Sequence, residues 1–224
     1  EIDMEDSFSN YFTAENDVDT ARSIIRKLKE RDNAVQKLIL RLNADYPGDI
    51  GVMMPLLLNY LVLESGECFY MAPNEPHAYL KGDLIEVMAC SDNVIRVGLT
   101  PKHRDIPLLY EILTYKMEPP PIIKPQKTHF QYCTKFTPPA TEFELEMINL
   151  PFEKVYYKKS ITVPSLLLVI KGEGSVEDDD TQFKLLPGVS LFISAGCHAK
   201  YVSLSDELIV AITHSQISKP DFMT

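Results

Sequence analysis

No apolar run in this 224-residue chain approaches the ~20 residues that a membrane-spanning helix requires. Positive charge is scarce too: 22 Lys and Arg stand against 32 Asp and Glu, a formal net charge of −10. That balance argues against nucleic acid as a partner, because phosphodiester backbones are met by a basic stripe. A small phosphorylated ligand remains open, since a few local cations suffice. Cysteine is sparse and scattered, at Cys68, Cys90, Cys133 and Cys197, with no CxxC and no zinc-ribbon spacing. Buried, inert thiols in a reducing cytoplasmic setting are expected. The opening EIDMEDSFSN is acidic, unlike a secretory signal or an Arg-rich transit peptide. There is no GxSxG elbow. The glycines of KGEGSV at 171–176 precede no helical pattern, so they read as a hairpin turn rather than a phosphate cradle.

What is present is ordinary for a soluble globular protein, 45% apolar and 24% charged, and long enough for more than one compact unit. Apolar residues recur from Val18 as Ala21, Ile24, Ile25 and Leu28, then as Val35, Leu38, Ile39 and Leu42. This is the spacing of two amphipathic helices, the second ended by Pro47-Gly48. The charged remainder, Arg41 included, reads as a solvated face. After Gly51 the pattern turns to short, partly β-branched runs divided by Gly, Pro, Ser and Asn. The proline-rich 116–128 reads as a linker or wrap-around segment. Beyond it, EFELEMINL, KVYYKK, SLLLVIKG, VSLFISAG and ELIVAITH are strands. Glu142, Glu144 and Glu146 alternate with apolar neighbours, as on a sheet with one wet face. EDDD at 177–180 reads as an exposed loop tip. SGECFYMAPNEPHAYL (65–80) resembles PGVSLFISAGCHAKYV (187–202), as two copies of one β unit would.

Residues 77–102, HAYLKGDLIEVMACSDNVIRVGLTPK, carry the chemistry. A histidine precedes two alternating runs, 84–90 and 94–99, about a Ser91-Asp92-Asn93 corner. His77 and Tyr79 share a strand face. His77 alone is read either as structural or as a metal ligand, since zinc needs three or four donors. A three-residue loop puts Glu86 diagonal to Arg96 on one face, and a two-residue loop puts them on opposite faces. The pair is then either a surface ion pair or a charged pair lining a cavity, the reading favoured by the apolar surroundings. Lys102, past the strand end at Pro101, can meet a phosphate as a mobile point charge. His198 reads as structural, and His129 and His214 lack evident partners.

These residues closely resemble the signature of the type I phosphomannose isomerases, H-A-Y-L-x-G-D-x-x-E-x-M-A-x-S-D-N-x-x-R-x-G-x-T-P-K. Val97 stands where that family usually has alanine. A looser likeness extends to the helices, to YPGDIG (46–51) and to the C-terminal strands. The resemblance implies a mainly β fold with an N-terminal helical segment and cupin-like β-barrel or jelly-roll units. The expected division is helical 1–47, part of a catalytic barrel at 48–116, a linker at 117–135 and a cupin-like domain at 136–224. It implies isomerisation of mannose 6-phosphate and fructose 6-phosphate with Zn2+ as cofactor. His77 would be a zinc ligand, Arg96 the catalytic arginine and Glu86 the proton-transfer group. Tyr79, Asp92 and Lys102 would bind substrate, Lys102 at the phosphate.

One departure stands out. The family's other three zinc ligands are a Gln-x-His pair and a glutamate upstream of the helical segment. Gln36, Gln126, Gln131, Gln182 and Gln216 are not followed by x-His. The expectation is a C-terminal portion, inactive alone, whose partner is the missing N-terminal portion. A non-catalytic cupin module binding sugar phosphate or another small anion is the alternative. A metal-dependent oxygenase would want a second ligand soon after His77, where only Asp83 and Glu86 are on offer.

Overall fold

The computed structural model describes residues 34–91, 94–178 and 181–216. The helix expected from Val18 lies outside them. The second, α1 (Ala34–Asp45), forms as the periodicity predicts: Leu38, Ile39 and Leu42 are buried, and the helix stops two residues before Pro47. Proline lacks the N–H and the clearance to continue a helix. Asp49 caps a short 3-10 turn (Ile50–Leu56) that buries Val52, Met53 and Met54. A second helix not foreseen in the sequence, α2 (Ile106–Ile112), starts where Asp105 accepts from the Leu108 amide at 3.1 Å and Pro107 occupies the first turn. The sequence does hold that signal, an aspartate followed by a proline.

The chain divides into two compact units. One takes the described residues up to Leu63 with Met71–Gly82 and Ser91–Pro120; the other takes Glu64–Tyr70, Asp83–Cys90 and the described residues from Pro121 onward. The first has two small cores. Leu38, Ile39, Leu42, Val52 and Met53 pack with Leu80 and Leu99, and Met54, Leu109 and Leu113 pack with Ile95, Val97 and Tyr110. The runs 84–90 and 94–99 do not enter a sheet as expected. A strand exists only where a neighbour takes its backbone hydrogen bonds, and among the described residues none does so here.

The second unit is the expected antiparallel two-sheet barrel. Its strands are β1 (Cys68–Phe69), β2 (Ile122–Ile123), β3 (Gln126–Lys127), β4 (Cys133–Phe136), β5 (Glu144–Pro151), β6 (Val155–Lys158), β7 (Ser165–Lys171), β8 (Gly174–Asp178), β9 (Thr181–Leu185), β10 (Ser190–Ile193), β11 (Ala199–Ser203) and β12 (Glu207–His214). β1 pairs only with β2; the others form a six-stranded sheet, β10-β7-β12-β5-β4-β3, and a four-stranded sheet, β6-β11-β8-β9. Alternate residues of both sheets, such as Ile148, Leu150, Leu167, Val169, Leu185, Tyr201, Leu208, Val210 and Ile212, make one shared core. Each fully buried aliphatic side chain contributes about 1.5–3 kcal/mol. The proline-rich stretch is therefore followed at once by sheet, with β2 and β3 inside it.

Three sequence expectations change. Lys171 to Gly174 is not a hairpin: β7 and β8 lie in different sheets, and the turn passes between them. Gly172 there has φ 83°, and a Cβ would come within 1.9 Å of the Glu207 carbonyl oxygen. Glu177 and Asp178 belong to β8 rather than to a loop, with Asp178 opposite Thr181. Most consequentially, Glu144 and Glu146 do not face water. They share the inward face of β5 with Ile148 and Leu150; Glu144 is 6% exposed. Burial of carboxylates is tolerated only with partners, and other strands supply them. Lys135 Nζ on β4 lies 2.7 Å from Glu144, Lys158 on β6 pairs with Glu146, and His214 Nε2 on β12 lies 3.4 Å from Glu144 and 3.6 Å from Glu146. His214, with no evident partner in the sequence, sits between two acids.

The internal likeness has a backbone counterpart. Gly66 and Gly188 both take positive φ (87° and 85°) two residues before a strand, and Asn74 and Gly196 (64° and 85°) do so eight residues later. The histidines do not follow in step. His77 comes three residues after Asn74 and His198 two after Gly196, and one residue of slip reverses the face presented.

Candidate active site

In the first unit a cavity of about 380 Å³ is lined by α1, by 77–80 and by 96–102. It brings together four of the residues singled out in the sequence: His77, Tyr79, Arg96 and Lys102. Glu86 falls in the other unit and is not among the lining residues. Asp92 lies outside the described residues.

The corner before His77 is tied down. Glu75 accepts from Ala72 N at 3.3 Å and pairs with Lys116 Nζ at 2.9 Å. His77 Nδ1 lies 2.9 Å from the Glu75 carbonyl oxygen. A carbonyl can only accept, so Nδ1 carries the hydrogen and donates it. The neutral ring is then left with its lone pair on Nε2, the arrangement that suits a metal-ligating histidine. The Tyr79 ring stands 5.8 Å from the imidazole, tilted by 53°.

The opposite wall is the chain from Arg96 to Lys102. Asp49 Oδ1 accepts from Gly51 N at 2.7 Å and Leu99 N at 3.0 Å, and Oδ2 from Thr100 N at 3.4 Å. Thr100 Oγ1 accepts in turn from Lys102 N at 3.2 Å. The two backbones touch: a Cβ on Gly98 would meet Gly51 Cα at 2.7 Å, and one on Gly51 would meet Leu99 N at 2.8 Å. Periodicity alone puts Arg41 on a solvated face. It is exposed, yet it lines the cavity and donates from Nη2 to the Leu80 carbonyl at 3.3 Å.

Among the described lining residues, Arg41, Arg96 and Lys102 stand against one carboxylate, Asp45. In a chain of charge −10 that local excess of cations favours an anion. A cavity of about 620 Å³ in the second unit, lined by His198, Lys158, Lys159 and Lys200, also contains Glu177 and Asp178. There Lys158 and Lys200 are already paired with Glu146 and Glu177, so the first cavity is the better anion site.

No protein-family model matches the chain. Individual relatives do. Mannose-6-phosphate isomerase 1 of Arabidopsis thaliana is 40% identical over 199 residues, 85% of this chain and 46% of that protein. The mannose-6-phosphate isomerase of Bos taurus is 39% identical over 168 residues, 71% of this chain and 39% of that protein. The chain is thus homologous, over most of its own length, to part of these mannose-6-phosphate isomerases. It spans about half the length of the curated relatives it matches. Among solved structures, an arginine-to-alanine mutant of phosphomannose isomerase from Salmonella typhimurium superposes with TM-score 0.81 at 27% identity, over 96% of this chain and 55% of that one. The Salmonella enzyme bound to fructose 6-phosphate and zinc gives TM-score 0.72 at 29% identity, over 89% and 49%. The chain thus shares the fold of the part of the Salmonella enzyme that it matches.

For the metal named in that relative, His77 offers one suitable donor. Among the described residues no group of three or more His, Cys, Asp or Glu stands ready to hold an ion, whereas zinc takes three or four protein ligands. The described residues alone therefore do not make a zinc site. The cysteines do not help. Cys133 is buried and burial pushes its thiol pKa up; Cys90, against expectation, is exposed.

Proposed function

We propose that this chain carries one wall of an aldose–ketose isomerase site that interconverts mannose 6-phosphate and fructose 6-phosphate. The observation that supports it most is the cavity lined by Arg41, Arg96, Lys102 and His77, whose Nδ1 donates to the Glu75 carbonyl. Lys102 and Arg41 would hold the phosphate, a point charge and a planar fork respectively. Arg96 would face the sugar oxygens. As a proton leaves C2 of the open-chain aldose, negative charge grows on the carbonyl oxygen, and a fixed guanidinium stabilises that enediolate more than the ground state. Return of that proton to C1, with the O2 hydroxyl proton passing to O1, completes the ketose. Glu86 is our candidate for that transfer, on the resemblance alone, and Tyr79 and Asp92 would complete the substrate contacts. Zinc would take His77 as one ligand, with the remaining donors from outside the described residues; when bound it would supply Lewis acidity. In this reading 48–116 is part of a catalytic barrel, 136–224 a second cupin-like domain, and the protein cytoplasmic.

The test is complementation. The chain is mixed with zinc and a separately produced N-terminal half of a relative, and mannose 6-phosphate turnover is followed. Turnover only in the mixture, abolished by Arg96→Ala, is the expected result. Sugar-phosphate binding with no turnover in the mixture would favour instead a non-catalytic anion-binding module.

A further inference from the structure

Asp49, within YPGDIG, has no part in the chemistry above, yet its carboxylate accepts from three backbone amides. Its carboxylate reaches 50 residues along the chain to accept from Leu99 N at 3.0 Å and, more weakly, from Thr100 N at 3.4 Å, while also accepting from Gly51 N. Leu99, whose own amide makes the first of those bonds, holds φ at 55°, a left-handed conformation that a leucine adopts only under constraint. Its side chain packs with Leu38, Ile39, Leu42, Val52 and Met53. Thr100, the next residue, uses its hydroxyl to accept from Lys102 N. One carboxylate therefore governs the path of the chain between the two cations. The closeness of Gly51 to Gly98 is the space that this clamp requires.

We propose that Asp49 is a positioning residue, which locks the left-handed turn at Leu99 and so fixes Arg96 and Lys102 as one anion-binding pair. This rests on the sugar-phosphate reading for its function, but the clamp itself can be tested without ligand. Asp49→Ala and Asp49→Asn are made in the chain as it stands. Amide hydrogen exchange is measured residue by residue, and affinity is measured for fructose 6-phosphate and for inorganic phosphate. Loss of a charge-assisted hydrogen bond from a folded segment should speed exchange by about tenfold or more. In Asp49→Ala this acceleration should appear at Leu99 and Thr100 and leave β5, β7 and β12 unchanged, with ligand affinity down by about tenfold. Asparagine keeps one oxygen but cannot accept with its amide nitrogen. Asp49→Asn should therefore keep Leu99 protected, expose Thr100 alone, and recover most of the affinity. That partial rescue is not expected of a residue that only stabilises the fold. Unchanged exchange at both amides in Asp49→Ala overturns the proposal, as does an asparagine variant no better than alanine. If alanine prevents folding, the Leu99–Thr100 contrast in Asp49→Asn decides. If the parent chain binds neither anion, the sugar-phosphate reading fails, while the exchange pattern still judges the clamp.

Discussion

Neutralising Glu146 should remove the acid limb of the barrel's stability profile. Its side chain is 13% exposed, on the inner face of β5, where it faces Lys158 of β6 and His214 of β12; Glu144, Lys135, Cys133, Tyr156 and Tyr201 complete the surroundings. Burial by itself would raise the carboxyl's pKa, but His214 and Lys158 reverse this and hold it at about 2, against an ordinary 4.5. That difference corresponds to about 3 kcal/mol. A depressed carboxylate contributes its stability above the unfolded pKa and loses it as pH falls through the folded one, here from 4.5 to about 2. His214 works the other way. Burial lowers it, while Glu146, the Ser215 carbonyl and Glu144 raise it to a net increase above 6.5. Its contribution is complete below 6.5 and is lost as pH rises through the higher folded value. The barrel should therefore be most stable between these two limits. The assay is urea unfolding at a series of pH values, followed by near-ultraviolet circular dichroism, to which the buried Tyr156 and Tyr201 contribute. Glu146→Gln should flatten the acid limb and cost about 3–5 kcal/mol near pH 6, because Lys158 is left buried and unpaired. Glu146→Leu with Lys158→Met should recover most of that. An unchanged acid limb in Glu146→Gln would refute the reasoning.

Other outcomes follow from the same geometry. Arg96→Ala should weaken fructose 6-phosphate binding by about ten- to a hundredfold, the value of a charge-assisted hydrogen bond, with Arg96→Lys intermediate; titration calorimetry measures it. Because the same cations carry the effect, parent-chain affinity should fall as salt rises. Gly98→Ala should cost about 1–3 kcal/mol by denaturant unfolding, since the added carbon meets backbone at 2.7 Å. Gly172→Ala should cost more, with a clash against the Glu207 carbonyl and a left-handed φ that alanine resists.

The strands β5, β6, β7, β10 and β12 were legible because each alternates or runs apolar for four to eight residues, and α1 because one face repeats before a proline. β8 and β11 were not: GSVED and AKYVS are short, mixed and polar, and only partners in the sheet make them strands. At 84–90 and 94–99 the reverse holds: good strand letters find no strand neighbour among the described residues. His77, Arg96 and Lys102 stand out in the sequence by type and spacing, and Tyr79 through the resemblance; all four line one cavity. Arg41 and Asp49 were not, because their meaning depends on contacts 39 and 50 residues away.

By itself the sequence determined the periodicities, the stops at proline and glycine, and the residue types able to meet a phosphate. Tertiary structure decided which way ambiguous side chains face. Glu144 and Glu146 alternate as a wet stripe would, yet they point inward because Lys135, Lys158 and His214 arrive from three other strands. Burial of a charge is a sum over neighbours brought from afar, and no local pattern contains that sum.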